Sequence, residues 1–435
     1  MDKIANFFEF KKLKTNFKTE ILAGLTTYIS MVYIMFVTPG ILQAAGMNKG
    51  AVFTATALAS AIGCILMGVL AKYPIASAPA LGITPFFAYS VVVGMKIPWQ
   101  TALAGVFVAS LIFVAITVFK LREMIINAIP ADLKYAISAG IGLFIAFLGL
   151  SEGGLIVKNK DTLVSLGTLS TPTVWVTIFG FIVTLILMLK KVPGAIFVGM
   201  ILSTVFGLLM GIIKAPHQFL STPPSIQPTF MKAFEHVGDI HTAQMWVVVL
   251  TFLLVTLFDT AGTLVALATQ AGFMKDNKMP RVGKALLSDS TAMLTGSLLG
   301  TPPVGAFVES SAGIAVGGRS GFTAVVTGIM FIFGIFLSPM LTVVTSQVTA
   351  PALIIVGVLM AQQTKNIHWE KLEIAVPSFL VLIGMPLTYS ISDGIALGFI
   401  IYPISMLAAK RGKEVHPLMY ALMIIFIVFL IIIKG

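Results

Sequence analysis

Three of the chain's 17 acidic residues could do chemistry that the others could not. Asp259 and Glu309 lie inside long apolar runs, and Asp289 lies near the start of another. A carboxylate held in hydrocarbon is costly, so it faces a cavity, pairs with a neighbour or sits on a proton path. Desolvation penalises the ionised form, so an embedded carboxyl can take up and release a proton as a solute comes and goes. That chemistry suits proton-linked movement of a small polar solute. The alternative is a structural carboxylate hydrogen-bonded between helices, and Asp289, at the edge of its run, fits that alternative better than the other two.

Two interrupted apolar runs accompany these acids. The string ASAPALGITPFFAY (76–89) carries Pro79, Gly82 and Pro85, and GTPPVGAFVESSAGIAVGGRSG (300–321) carries Pro302, Pro303 and Gly305. Proline removes a backbone donor and clashes with the preceding turn, so neither stretch can be one continuous helix. Irregular backbone at membrane depth is tolerated only when buried in protein or lining a cavity. Matched interruptions in two halves of a chain point to a transporter binding site, whereas a plain proline kink in each would be the structural alternative. Thr84 and Thr301 precede Pro85 and Pro302, an arrangement that starts helices and would aim free N–H groups at the site. Glu309 follows Pro302 by two turns and would face the same cavity. Phe86, Phe87 and Phe307 offer planar apolar surfaces to an aromatic ligand, or else simply fill the interior.

The elements that must position these residues are membrane helices. Of 435 residues, 57% are apolar and 10% charged, with a mean hydropathy of +1.01. Soluble domains are roughly 45–50% apolar and about 25% charged, so a soluble enzyme, a nucleic-acid-binding protein and a disordered chain are excluded. A span needs about 20 residues, and apolar runs fall at about 20–38, 51–71, 74–95, 98–119, 133–150, 172–189 and 194–214. After a polar stretch at 215–243 they resume at about 244–268, 283–299, 302–318, 321–342, 348–362, 372–388 and 392–409. The expected fold is all-α and polytopic: seven spans, a long loop, and seven more. A further apolar run at 417–433 follows Lys410, Arg411 and Lys413.

The net charge of +11 belongs to topology rather than to a nucleic-acid partner. With the N-terminus inside, cytosolic loops collect 21 Lys and Arg, among them Lys120, Arg122, Lys190, Lys191, Lys275, Lys278, Arg281 and Lys284. Outer loops hold six, namely Lys49, Lys96, Lys158, Lys160, Lys214 and Lys232. That bias sets the orientation, and an odd number of spans per half inverts the second half relative to the first, as in many secondary transporters. The N-terminal 1–19 stretch, with Lys3, Lys11, Lys12, Lys14 and Lys18 and no cleavable signal pattern, is expected to stay cytosolic. Ala55, Ala59 and Gly63 share one helix face, as do Ser138, Gly142 and Ala146, a spacing that lets helices approach closely in lipid. The single cysteine, Cys64, excludes an internal disulfide and reads as a small packing residue. The five histidines lie in loops or at span edges. His236, Asp239 and His241 lack a further metal ligand nearby, and no phosphate-binding GxxxxGK[ST] loop is present, which leaves ATP-driven transport without support. No catalytic constellation is visible, and no cofactor beyond a coupling proton is expected.

Five strings carry a resemblance: GLTTYISMVYIMFVTPGIL (24–42), AVFTATALASAIGCILMG (51–68), FDTAGTLVALATQAG (258–272), VESSAG (308–313) and VTAPALIIVG (348–357). Through them the chain resembles the nucleobase–ascorbate transporter superfamily, and within it the AzgA-like branch of hypoxanthine, guanine and adenine permeases. The resemblance implies fourteen segments in two inverted seven-segment repeats, with segments 3 and 10 meeting as short strands. It implies a core domain (about 20–119 and 244–342) carrying substrate past a gate domain (about 133–214 and 348–409), often in a homodimer. Proton-coupled uptake of a purine by an elevator-type movement would follow. The implied substrate contacts are Glu309, Thr84, Thr256, Phe86, Phe307 and Val304, with Glu309 and Asp259 linking proton to transport. Two positions depart from the family pattern. Thr84 stands where segment 3 of relatives, reading like PGMGLNA(F/Y)F, has asparagine, and Thr256 stands where segment 8 has an acid. The departures allow another cargo on the same scaffold, a different small heterocycle or a small anion.

Overall fold

A computed structural model describes residues 2–119, 129–216, 218–274 and 279–434. Lys120, Arg122, His217, Lys275 and Lys278 lie outside the described residues. Two short helices, α1 (Asp2–Phe7) and α2 (Phe10–Leu13), precede α3 (Phe17–Met31) and α4 (Ile34–Ala44). Helices α3 and α4 are one bent span, capped by Asn16, whose side chain accepts from the Thr19 N–H, and broken at Val32–Tyr33. Helix α5 (Lys49–Leu66) ends in a wider turn to Ala71, strand β1 spans Ser77–Pro79, and a π-helical stretch Phe86–Gly94 leads to α6 (Trp99–Val118). Next come α7 (Ala131–Glu152), the hairpin of β2 (Ile156–Asn159) and β3 (Leu163–Leu166), α8 (Pro172–Leu189), α9 (Ala195–Leu209) and the short α10 (Lys232–Glu235).

The second half of the chain follows. It contains α11 (Ala243–Gln270), α12 (Val282–Leu299), β4 (Val304–Ala306), α13 (Ser310–Ala315) and α14 (Gly321–Gly334), the last continuing as a 3-10 helix to Thr342. Then follow α15 (Ser346–Ala361), α16 (Leu372–Thr388), α17 (Ile391–Ala408) and α18 (Pro417–Lys434). Among the described residues, nine helical stretches are long and apolar enough to cross a membrane, and three shorter apolar helices accompany them. Each such helix satisfies its own backbone, which is what the hydrocarbon demands. The chain is a multi-pass, all-helical membrane protein.

Two sets of helices form separate contact groups. One joins α3, α5 and α6 to α11, α12 and α14, with β1 and β4 between them. The other joins α7, α8 and α9 to α15, α16 and α17. Small residues at the predicted spacing sit at close helix crossings. A Cβ on Gly142 would lie 2.6 Å from Met360 Cβ and 2.7 Å from the Gly357 carbonyl, so α7 and α15 touch backbone to backbone. In the other group, a Cβ on Gly63 would lie 3.0 Å from Ser77 Cβ and 3.2 Å from Ala292 Cβ.

The basic N-terminal stretch does more than float in solvent. Phe8 and Phe10 are buried, and with Phe17 they pack edge-on against Phe322 at 5.4–5.8 Å. Glu9 pairs with Lys12 at 2.9 Å and reaches Lys72 and Arg281 at 3.6 and 3.7 Å. The Lys12 hydrogen bond, with the neighbouring cations, holds the Glu9 carboxyl below the usual range against a small opposing effect of burial. A second acid is hidden nearby: Glu20 is fully buried and caps the start of α14 from across the group. Its Oε1 accepts from the Arg319 N–H (3.1 Å) and Thr15 Oγ1 (2.7 Å), and its Oε2 from the Ser320 N–H (3.2 Å), Ser320 Oγ (2.7 Å) and Thr323 Oγ1 (2.5 Å). Sequence position made Glu20 look like an ordinary charge at the end of a span.

Candidate functional site

The two proline-broken runs meet at the centre of the first helix group. Strand β1 pairs antiparallel with β4, with Ser77 opposite Ala306, Ala78 opposite Gly305 and Pro79 opposite Val304. The ladder runs one residue further at each end, through Phe307 N–H to the Ala76 carbonyl and Ala80 N–H to the Pro303 carbonyl, both 2.9 Å. These bonds satisfy donors that the broken helices leave free, and a two-stranded ribbon can exist here because protein covers it on every side. Cys64 on α5 clamps the ribbon: its Sγ donates to the Ser77 carbonyl (3.4 Å) and accepts from the Ser77 N–H (3.3 Å). The cysteine therefore does a hydrogen-bonding job that its composition alone did not suggest. Ser310 holds the same end, accepting from the Ala76 N–H (2.9 Å) and donating to the Phe307 carbonyl (2.7 Å).

The breaks begin differently from each other. After β1, the Thr84 N–H bonds the Ala80 carbonyl and the chain turns into helix through Pro85, close to the expected start. After Thr301, by contrast, no helix forms at Pro302. The chain runs as strand β4, and α13 starts only at Ser310. The reason lies in the Pro302–Pro303 pair. A residue before proline is driven to extended backbone, and neither proline has an N–H to offer.

The carboxylates flank this ribbon. Glu309, half-buried, stands at the junction of β4 and α13. Its Oε1 accepts a 2.7 Å hydrogen bond from the Tyr33 hydroxyl, which comes from the α3–α4 break. Asp259, also half-buried, sits on α11 within electrostatic reach of both Asp289 and Glu309. Asp289 is fully buried on α12 and accepts from Thr260 Oγ1 at 2.6 Å. That bond ties α11 to α12 directly beneath the ribbon, because a Cβ on Gly305 would come 3.4 Å from Thr260 Oγ1 and 4.0 Å from Asp289 Oδ1. Asp289 thus has the interhelical role that its sequence position favoured. Tyr33 and Thr260 are the residues that sequence reasoning missed. The adjacency of Thr260 to Asp259 was visible, but its partner was not.

The remaining expected residues fall into three environments. Thr256 lies one turn before Asp259 and Thr260 on α11 and is buried, and its hydroxyl has no hydrogen-bond partner among the described residues. Thr84 is buried and donates to the Ala80 carbonyl at 2.9 Å, so its proton is committed and its lone pairs are what remain. Phe86 is buried edge-on against Phe252 of α11 with ring centres 5.2 Å apart, and Phe87 lies 6.3 Å from the same ring. Phe307 is buried at the strand end. Val304 points into the seam between α5 and α12, where its methyl groups lie 3.4 Å and 2.6 Å from the positions a Cβ would take on Gly63 and Gly296. Its side chain packs with Ala59 and Ala292, which leaves only its backbone to the ribbon. Thr301 Oγ1 and Ser77 Oγ are likewise buried without partners among the described residues.

The two helix groups also touch away from the ribbon. Tyr89 donates its hydroxyl to Glu152 Oε1 at the end of α7, and Ser90 Oγ donates to the Tyr389 carbonyl at 3.0 Å. Tyr389 holds a left-handed backbone (φ 57°) and packs edge-on against Tyr89, Phe144 and Phe147. A cavity of about 470 Å³ opens there, lined in part by Ser90, Gln244, Thr388 and Asp393. In the polar loop, His236 Nδ1 meets Asp239 Oδ2 at 2.7 Å, and this bond is the main reason the Asp239 carboxyl is held below its usual range. No cluster of metal-ligating side chains occurs among the described residues.

Comparison with known proteins agrees with this architecture. The pattern of the Permease family (Xan_ur_permease) matches residues 18–397. The guanine/hypoxanthine permease PbuG of Bacillus subtilis (strain 168) is 55% identical, over 98% of this chain and 99% of its own. The adenine permease AdeP of Escherichia coli (strain K12) is 39% identical, over 98% and 96%. Among solved structures, the transmembrane domain of the cyanobacterial bicarbonate transporter BicA superposes with a TM-score of 0.61, covering 91% of this chain and 97% of that one at 15% identity. At that identity the likeness concerns the fold alone.

Proposed function

The chain belongs to the Permease family and is a transporter rather than an enzyme, and from that premise we propose that it carries a purine nucleobase inward across the cytoplasmic membrane, coupled to protons. The observation that carries the reading is the end-to-end 55% identity with a protein named for guanine and hypoxanthine. A purine is flat and bears donors and acceptors along its edge. The ribbon region can answer that edge with the free lone pairs of Glu309, the open hydroxyl of Thr256 and the lone pairs of Thr84. Phe86 and Phe307 supply apolar faces, and Val304 contributes backbone only. Glu309 contacts substrate and links it to a proton, and Asp259 shares in that linkage.

The movement is of the elevator type, in fourteen segments forming two inverted repeats of seven. The core is 20–119 with 244–342, and the gate is 133–214 with 348–409. The separate contact groups of α3–α6 with α11–α14 and of α7–α9 with α15–α17 support this division. The N-terminus is cytosolic, α18 (417–433 in the sequence reading) lies outside the repeat, and two copies associate through their gates. The test is uptake of labelled hypoxanthine into cells expressing the chain. Uptake should collapse with a protonophore, ignore sodium, and vanish in Glu309→Gln at normal membrane abundance, because an amide cannot ionise in the carboxyl range. Uptake that persists with a protonophore and follows sodium refutes the coupling. Competition by small anions but not by purines refutes the cargo.

A further inference from the structure

Among the described residues, one side-chain hydrogen bond links segment 1 to Glu309. The α3–α4 span breaks at Val32–Tyr33, where the Met35 N–H turns back to the Val32 carbonyl and the Phe36 and Val37 N–H groups both point to the Tyr33 carbonyl. The break leaves Tyr33 fully buried, with its hydroxyl 2.7 Å from Glu309 Oε1, a residue 276 positions away. Among the described residues no other side chain donates to Glu309. A buried phenol needs a partner for its O–H, and here the partner is the one carboxyl to which substrate contact and proton linkage are both assigned.

We propose that Tyr33 is a positioning residue that acts through Glu309, fixing one carboxyl oxygen so that the other is presented to the substrate and to the proton. The proposal rests on the assignment of Glu309 under the proposed function. A phenol suits the task because it is rigid, with two rotatable bonds, and can donate to a carboxylate or to the carbonyl oxygen of a neutral carboxyl. It therefore holds the orientation in both protonation states, whereas Glu309 alone, at the start of a six-residue helix, could turn. The other titratable groups facing this acid pair are Asp259 on α11 and, through it, Asp289 on α12. Neither is a donor when ionised, so neither can replace the phenol.

Tyr33→Phe removes one oxygen and keeps the ring. A hydrogen bond to an ionisable group corresponds to about a ten- to hundred-fold effect. Hypoxanthine kcat/KM should fall by about that factor, mostly through KM, and the pH profile of uptake should shift. Tyr33→His, which retains an N–H donor, should recover part of the loss. Independently of any substrate, the carboxyl stretching band that Glu309→Gln deletes from the infrared difference spectrum should move to higher wavenumber in Tyr33→Phe. An unmoved band overturns the proposal, as does a moved band with wild-type KM and pH profile. If Tyr33→Phe fails to fold, the same band in Tyr33→His decides: unchanged strength and kinetics there would show that a phenol is not needed. A wild type without purine uptake but with a phenol-dependent band would sink the purine reading and leave the positioning role standing.

Discussion

Removing the Glu20 carboxylate should loosen the start of α14. Glu20→Ala strands two backbone donors, the part-buried N–H of Arg319 and the buried N–H of Ser320. The hydroxyls of Thr15, Ser320 and Thr323 can rotate toward other acceptors, but the amides cannot. A buried donor left unpaired costs about 1–3 kcal/mol, so two of them cost about 2–6 kcal/mol. The lost negative charge at a helix N-terminus is the smaller effect, about 0.3–1 kcal/mol. For a chain of this length the unfolding entropy is about 0.9 kcal/mol per degree, so the melting temperature should drop by roughly 2–6 °C. Cys64 makes the assay simple. It is the chain's only cysteine and is fully buried against Ser77, so a thiol-reactive dye reports unfolding at one site. Glu20→Gln keeps a carbonyl acceptor for one of the two amides, which bond different oxygens of Glu20, and should lose about half as much. If both variants melt within 1 °C of wild type, the cap does not hold α14 and the reasoning fails.

Two further outcomes bear on the site and its movement. Thr256→Val deletes a hydroxyl that bonds nothing among the described residues, so melting should be unchanged or slightly raised. Purine affinity measured by equilibrium binding should nevertheless fall about three- to ten-fold, the worth of one neutral hydrogen bond, and unchanged affinity would remove Thr256 from the site. Ser90→Cys combined with Tyr389→Cys places thiols where the two helix groups now share a 3.0 Å bond, and Cys64 is too deeply buried to compete. Oxidation of that pair should stop uptake and a reductant should restore it. Full-rate uptake by completely cross-linked protein would mean that the two groups do not move past each other there.

The amino-acid sequence alone determined that the chain crosses a membrane many times, that two of its runs break at prolines, and which acids fall inside or at the edge of apolar runs. Those features are local. Hydrocarbon forces backbone self-satisfaction along each run, proline acts on its own turn and on the residue before it, and a carboxylate in an apolar run is conspicuous wherever it lies. The small-residue faces at Gly63 and Gly142 were legible for the same reason, since a four-residue spacing places side chains on one face whatever packs against it. The tertiary structure decided the partnerships. Nothing local distinguishes Glu20 from other charges near the ends of spans, and its role exists only because α14 starts beside it, some 300 residues later in the chain. The same holds for Tyr33 with Glu309 and for Cys64 with the backbone of Ser77. Val304 was expected as a substrate contact with no direction given to its side chain, which packs between α5 and α12. Strand side chains alternate between faces, and only the paired register of β1 and β4 selects which face Val304 takes. Pairing, register and the direction of a side chain depend on which elements meet, and that depends on packing the whole chain at once.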